Sequence, residues 1–172
     1  MTDAAAAFPR IVREHRDRVF SLSLRLCGGD RAAAEDLAHD VFVKAYRAFA
    51  GYDRARRSAL ALRPWLATIA LNEARNRSRA ASRRRDRVSP DGALPERIDT
   101  TPDATVHVDR RAAVVAALDA LPAAQREAVV LRHIGDLSYA QIGEALGRPV
   151  ATVRSDVHRA HATLRTLLKE DT

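Results

Sequence analysis

The stretch Ser138-Tyr-Ala-Gln-Ile-Gly-Glu-Ala-Leu-Gly-Arg-Pro-Val-Ala-Thr-Val-Arg-Ser155 joins two apolar helical stripes through the breakers Gly147, Arg148 and Pro149. Ser138 and Gln141 have capping-box spacing: the hydroxyl can accept from a first-turn amide and the glutamine can return the bond, so a helix should begin here. Ile142 and Leu146 carry its apolar face and Gly147 ends it. The chain then re-enters a helix whose inward side is expected to be Val150, Val153, Val157, Ala160, Leu164 and Leu168. A short helix, a tight turn and a second helix predict a helix-turn-helix, although a plain helical hairpin would use the same breaks. Opposite the apolar side lie Ala151, Thr152, Ser155 and Arg159. Short side chains would let this helix enter a major groove, with Arg148, Arg154 and Arg159 reaching phosphates. Arg148, Ala151, Thr152, Arg154, Ser155 and Arg159 are therefore the candidate duplex-DNA residues.

Composition agrees. The 172 residues carry a formal charge of +7 and a pI near 10.6, and Lys44 and Lys169 are the only lysines, so the charge is carried almost wholly by arginine. Arginine is a planar fork suited to phosphate and guanine, so a polyanionic partner is expected. An Arg-biased composition without such a partner is the plain alternative. Hydrophobic residues make up 47% but aromatics only 5%, which excludes disorder as the main reading and favours helices rich in Ala, Leu and Arg. Cys27 is the only cysteine, so an intrachain disulfide is excluded and a reducing compartment fits. Cys27 closes an apolar stripe and is expected to be a small buried hydrophobe. Neither a signal-peptide pattern nor a membrane-length apolar run is evident, so cytoplasmic localisation without membrane insertion is expected.

Upstream, Phe8, Ile11, Val12, Val19, Leu22 and Leu26 recur at helical spacing until Gly28 and Gly29. Asp30 is suited to cap a second helix reaching about Phe49. Its wheel has one apolar face of Ala34, Leu37, Val41 and Ala48 and another of Phe42, Tyr46 and Phe49, leaving Asp36, His39, Asp40 and Arg47 as a polar stripe. Residues 51–63 break the periodicity and read as an ordered loop. A third helix is expected from Pro64, with Trp65, Leu66, Ile69 and Ala70 as its apolar positions. It becomes the most basic part of the chain through Arg75, Arg77, Arg79, Arg83, Arg84 and Arg85. From Arg87 to about Thr105 the polar stretch is punctuated by Pro90, Gly92, Pro95 and Pro102, as in a flexible linker. The expected architecture is all-α, with two small helical domains (1–86 and 106–172) joined by a linker (87–105).

Three stretches resemble a known family. Leu118-Asp-Ala-Leu-Pro-Ala-Ala-Gln-Arg-Glu127, Gly135-Asp-Leu-Ser-Tyr-Ala-Gln-Ile-Gly143 and Thr152-Val-Arg-Ser155 together resemble region 4 of sigma-70 family factors. Ala34-Glu-Asp-Leu-Ala-His-Asp-Val-Phe-Val-Lys-Ala-Tyr46 is similar to region 2.2, and Trp65-Leu-Ala-Thr-Ile-Ala-Leu-Asn-Glu-Ala-Arg-Asn76 to regions 2.3 and 2.4. The chain is thus identified as a member of the compact extracytoplasmic-function (ECF) type. The resemblance implies that the C-terminal domain reads the −35 promoter element and the N-terminal domain opens and holds the −10 element. It implies docking of Asp36, His39, Asp40 and Arg47 on a coiled coil in the largest subunit of core RNA polymerase, and an anti-sigma factor as a further partner. Asn72 and Asn76, whose amides offer donor and acceptor to an unstacked base, would meet the single strand. Arg75, Arg79 and Arg83 would follow its backbone, and Tyr52, Arg56 and Ser58 would help hold a flipped base. Asn76 stands where the family often has Asp and is expected to tune base choice. Asp156 stands where the family usually has Arg, and is expected to repel phosphate.

An enzyme would need a nucleophile, base or metal constellation, and none is evident, so no catalytic residue, metal ligand or cofactor is assigned. His158 and His161 read as solvent-facing or DNA-proximal. A dimeric repressor built on the C-terminal head would leave the N-terminal half unexplained. A sigma mimic that only sequesters an anti-sigma factor would leave the arginine run unexplained.

Overall fold

The computed structural model describes residues 3–88 and 105–170. They form α1 (Asp3–Leu26), α2 (Arg31–Ala50), α3 (Arg54–Ala59), α4 (Leu62–Val88), α5 (Thr105–Asp119), α6 (Ala123–His133), α7 (Tyr139–Leu146) and α8 (Val150–Glu170). No strand occurs among the described residues, and the all-α expectation holds. The expected linker falls almost wholly outside the described residues, although helix occupies its ends at 87–88 and at Thr105.

In the N-terminal unit α1, α2 and α4 pack together. Phe8, Ile11, Val19 and Leu22 of α1 are buried as their spacing requires. The helix starts about a turn before Phe8, at Asp3, and buries Ala4. An alanine run offers no periodic contrast, so that extra turn is invisible to pattern reading. Gly28 and Gly29 end α1 with φ of 63° and 85°. Asp30 then caps α2 by accepting from the Ala33 amide at 3.0 Å. The buried face of α2 is Ala34, Leu37, Val41, Ala45 and Phe49. Ala48, expected on that face, is half-buried, and of the second expected face only Phe49 is buried: Phe42 is half-buried, and Tyr46 remains 40% exposed, its ring edge-on to Phe8 at a centroid separation of 5.2 Å.

The expected loop at 51–63 contains a helix instead. Asp53 accepts from the Arg56 amide at 2.7 Å and nucleates α3, none of whose residues is buried. Local capping and Arg/Ala propensity form this turn without an apolar stripe, which is why periodicity passes over it. The next helix starts at Leu62, so Pro64 falls within the first turn, where its missing amide hydrogen has no intrahelical acceptor to lose.

The C-terminal unit is α5 to α8, with α6, α7 and α8 enclosing Leu131, Leu137, Ile142, Val153 and Val157. Each such aliphatic contributes about 1.5–3 kcal/mol on leaving water. The capping box is present: Gln141 N donates to Ser138 Oγ at 3.2 Å and Ser138 N donates to Gln141 Oε1 at 2.9 Å. Gly147 takes the left-handed conformation at φ 63°, and Arg148 N donates to Gly143 O at 2.8 Å, closing the turn into α8. Val150, expected to point inward, is 41% exposed; the buried stripe of α8 starts one turn later at Val153. Val150 covers the outside of the turn, its Cγ2 lying 3.5 Å from where a Gly143 Cβ would stand.

The buried side chains of the two units form one contiguous cluster, so the units are packed on each other. A Cβ on Gly143 would lie 2.8 Å from the Arg148 carbonyl oxygen. Gly143→Ala must therefore push the helix-turn-helix apart, and should cost about 1–3 kcal/mol. A urea titration followed by circular dichroism checks this, with Ala140→Gly in the same helix as the comparison for propensity alone.

Candidate nucleic-acid interface

The outer face of α8 presents Ala151, Thr152, Arg154, Ser155 and Arg159, all exposed, along the first half of the helix. Short residues at its first turns give the low profile that a groove-entering helix needs, and its N-terminal amides add partial positive charge. Arg154 is held over the Tyr139 ring at 5.4 Å and Arg132 over the same ring at 5.1 Å. Tyr139 thus orients a candidate phosphate-binding arginine, a role that its place after the cap Ser138 did not reveal.

Arg148 and Asp156 depart from expectation together. Asp156 is buried at 5% exposure and forms an ion pair with Arg148, whose Nη1 also donates to the Ala124 carbonyl at 3.4 Å. The acidic position does not lie on the outer face of α8. It lies on the inner side of α8, three residues after Val153 and beside Val157, where it tethers the α7–α8 turn to the helix. Arg148 is correspondingly half-buried and committed to a carboxylate inside the chain. Removing one partner of such a pair strands the other, at about 3 kcal/mol. Asp156→Ala should accordingly lower the urea midpoint while leaving duplex affinity per folded molecule unimproved. A phosphate-repelling Asp156 would give the opposite pattern, tighter binding at unchanged stability, in parallel denaturation and anisotropy titrations.

In the N-terminal unit α4 offers Asn72, Asn76, Arg79 and Arg83 to solvent, while Trp65 and Ile69, which share a helical side with the two asparagines by spacing, are half-buried. Trp65 packs with Phe49 and Tyr52 at ring separations of 6.5 and 6.1 Å, so it serves the core. Arg56 lies 4.1 Å over the Tyr52 ring, a cation-π contact that joins α3 to the expected base-holding position. Ser58 donates to the Ala55 carbonyl at 2.9 Å. Arg75 differs from its neighbours: it makes a bidentate pair with Glu127 of α6, Nε to Oε1 at 2.8 Å and Nη2 to Oε2 at 2.5 Å. That hydrogen bond raises the Arg75 pKa further.

On α2, Asp36, His39 and Arg47 are exposed and form the expected stripe. Asp40 is half-buried and bound by Arg77 at 2.5 Å, so it is shared between the stripe and α4. Lys44 forms an ion pair with Glu73 across the same two helices. Cys27 is half-buried rather than fully buried, and desolvation raises its thiol pKa.

His158 and His161 are exposed, but His161 has a partner. Its Nε2 lies 2.7 Å from Nε2 of His133 on α6. Partial desolvation, then the neighbouring His161 and Arg132, hold His133 below the ordinary histidine range. The unfolded chain therefore takes up this proton first as pH falls, and stability present above about pH 6.5 is lost below it. His133→Gln should flatten the slope of stability against pH between about 7.5 and 5, as read from urea midpoints across that range.

No group of three or more metal-ligating side chains occurs among the described residues, and no described helix is long and apolar enough to cross a membrane. A helix-turn-helix head packed on a helical unit with an Asn/Arg face defines a two-domain DNA-binding transcription protein. Residues 11–84 match the model of Sigma-70 region 2 and residues 111–164 that of Sigma-70, region 4. The ECF RNA polymerase sigma factor SigE of Mycolicibacterium smegmatis is 37% identical, covering 96% of this chain, which in turn spans 63% of that protein. SigW of Bacillus subtilis is 30% identical over 95% of this chain and 90% of its own. Among solved structures, the sigma factor RpoE from Bartonella quintana in complex with the anti-sigma factor NepR superposes with a TM-score of 0.79 at 27% identity, covering 96% and 98% of the two chains. CnrH in complex with the cytosolic domain of CnrY gives 0.68 at 26% identity, covering 98% and 91%. The chain belongs to the sigma-70 family and is an RNA polymerase sigma factor of the ECF type, a factor of promoter recognition and transcription initiation.

Proposed function

We propose that this chain binds core RNA polymerase through Asp36, His39, Asp40 and Arg47, reads the −35 element with the outer face of α8, and holds the opened −10 strand on α4. Residues 1–86 and 106–172 act as the two working units, with 87–105 joining them. The observation that carries the reading is the pairing of two different surfaces in one chain. One is a low-profile helix start of Ala151, Thr152 and Ser155 flanked by Arg154 and Arg159; the other is an exposed Asn72, Asn76, Arg79 and Arg83 face. A rigid duplex needs the first. Separated bases, which must be gripped by their edges and backbone, need the second.

Within this reading Tyr52, Arg56 and Ser58 border the flipped base. Arg148 acts indirectly, positioning the start of α8 through Asp156. Arg75 reaches the strand only once it leaves Glu127. The protein performs no covalent chemistry, requires no cofactor and works in the cytoplasm, where an anti-sigma factor governs its access to polymerase; sigma factors bound to such proteins are its structural neighbours.

Transcription with added core polymerase on candidate promoters tests the proposal. Start-site-specific transcripts that depend on the chain are expected, and their absence from every cognate candidate would sink it. Replacing Asn72 and Arg79 by Ala should lower transcript yield on duplex promoters by about tenfold, equivalent to ~1.4 kcal/mol, with −35 fragment binding unchanged. Thr152→Ala with Arg159→Ala should do the reverse, weakening −35 fragment binding and sparing pre-melted templates.

A further inference from the structure

The Arg75–Glu127 pair joins the two units through a side chain that the function above requires to be free. Both partners are largely withdrawn from water, with side-chain exposures of 31% and 18%. The two Glu127 oxygens engage the guanidinium edge as two phosphate oxygens would, because carboxylate and phosphate present the same bidentate acceptor geometry to arginine. Glu127 sits in the second turn of α6, where helix geometry and the core residue Ala128 beside it fix its direction.

A second ion cluster repeats the arrangement a few turns away. Asp136, in the turn between α6 and α7, is the one described non-glycine residue with positive φ, at 58°. That left-handed conformation is unfavourable for most side chains, though Asp tolerates it better, and it asks for a compensating interaction. Its Oδ2 accepts from Arg63 of α4 at 3.2 Å and from Arg18 of α1 at 3.5 Å. The adjoining Gly135 is buried and lines a small cavity together with Val19, Leu22, Leu66 and Ala67 of the N-terminal unit. Two carboxylates of one unit thereby engage three arginines of the other.

We propose that Glu127 and Asp136 form an intrachain anion clamp that occupies the arginines of α4 and α1 in place of DNA phosphate, holding the free chain closed. The inference rests on the proposed role of Arg75 at the opened strand. Strand binding and clamp closure then exclude each other at Arg75, so each disfavours the other by the same factor. The Asp136 half is the more exposed and is screened by salt first; the Glu127 half persists until a competing polyanion arrives.

Small-angle scattering of the full chain, and the rate at which chain plus core polymerase forms complexes on a pre-melted promoter, test this together. The isosteric pair Glu127→Gln and Asp136→Asn removes the charges without altering packing volume. The variant should have a larger radius of gyration than the parent at 50 mM salt, a difference that should shrink at 500 mM. Complex formation should be several-fold faster at low salt. Arg18→Gln with Arg63→Gln, which approaches the clamp from the other unit, should expand the chain to a lesser degree. Identical scattering for parent and both variants at low salt overturns the clamp. Expansion with an unchanged rate overturns the competition with DNA. Loss of promoter-dependent transcripts from the parent itself strikes the proposed function, and leaves scattering to decide the clamp independently.

Discussion

Arginine charge has to be shared out. Nearly every cation in this protein is a guanidinium, and on a small helical frame those groups repel one another unless a carboxylate or a polyanion stands between them. The folded chain divides its arginines into two groups. Arg148 is tied to Asp156, Arg77 to Asp40, Arg126 to Asp119 and Arg75 to Glu127, all at least partly withdrawn from water. Arg79, Arg83, Arg154 and Arg159 stay on the surface. The same side-chain type therefore serves as internal tie and as external contact, and the position of each nearby acid decides which.

This division explains why the two working faces differ in character. On α8 the internal ties lie on the inner side of the helix, and the outer side keeps short residues with Arg154 braced by Tyr139. The result is a braced head with a low outer profile, as the proposed reading of duplex DNA needs. On α4 the ties run along the helix flanks, to α2 through Arg77 and Lys44 and to α6 through Arg75. The surface proposed to take up separated strands is thus connected by ion pairs both to its own domain and to the neighbouring one. Ion pairs can be exchanged for phosphate at little net cost, whereas apolar packing cannot.

Much of the frame was legible without coordinates because its determinants are local. The capping box at Ser138 and Gln141, the left-handed Gly147, the Asp30 cap and the stripe Phe8, Ile11, Val19 and Leu22 each follow from neighbouring residues. Readings failed where periodicity is silent. The α3 turn has no buried residue, the first turn of α1 is alanine, and Val150 and Tyr46 continue apolar patterns to places where neighbours cover them only in part. A wheel shows which residues share a side; it does not show how far the neighbouring helix extends.

By itself, then, the sequence determined an all-helical chain with a helix-turn-helix head, an arginine-rich N-terminal helix and the family to which both belong, since helix period, caps and glycine breaks are properties of residues close along the chain. Only the tertiary structure decided which charges are spent inside. Asp156 looked like an acid aimed at DNA and is instead the buried partner of Arg148. Arg75 looked like a free contact and is instead gripped by Glu127, 52 residues away. Ion pairs between distant segments depend on where helices cross, and crossing is set by the packing of whole apolar faces, which no short window of sequence contains.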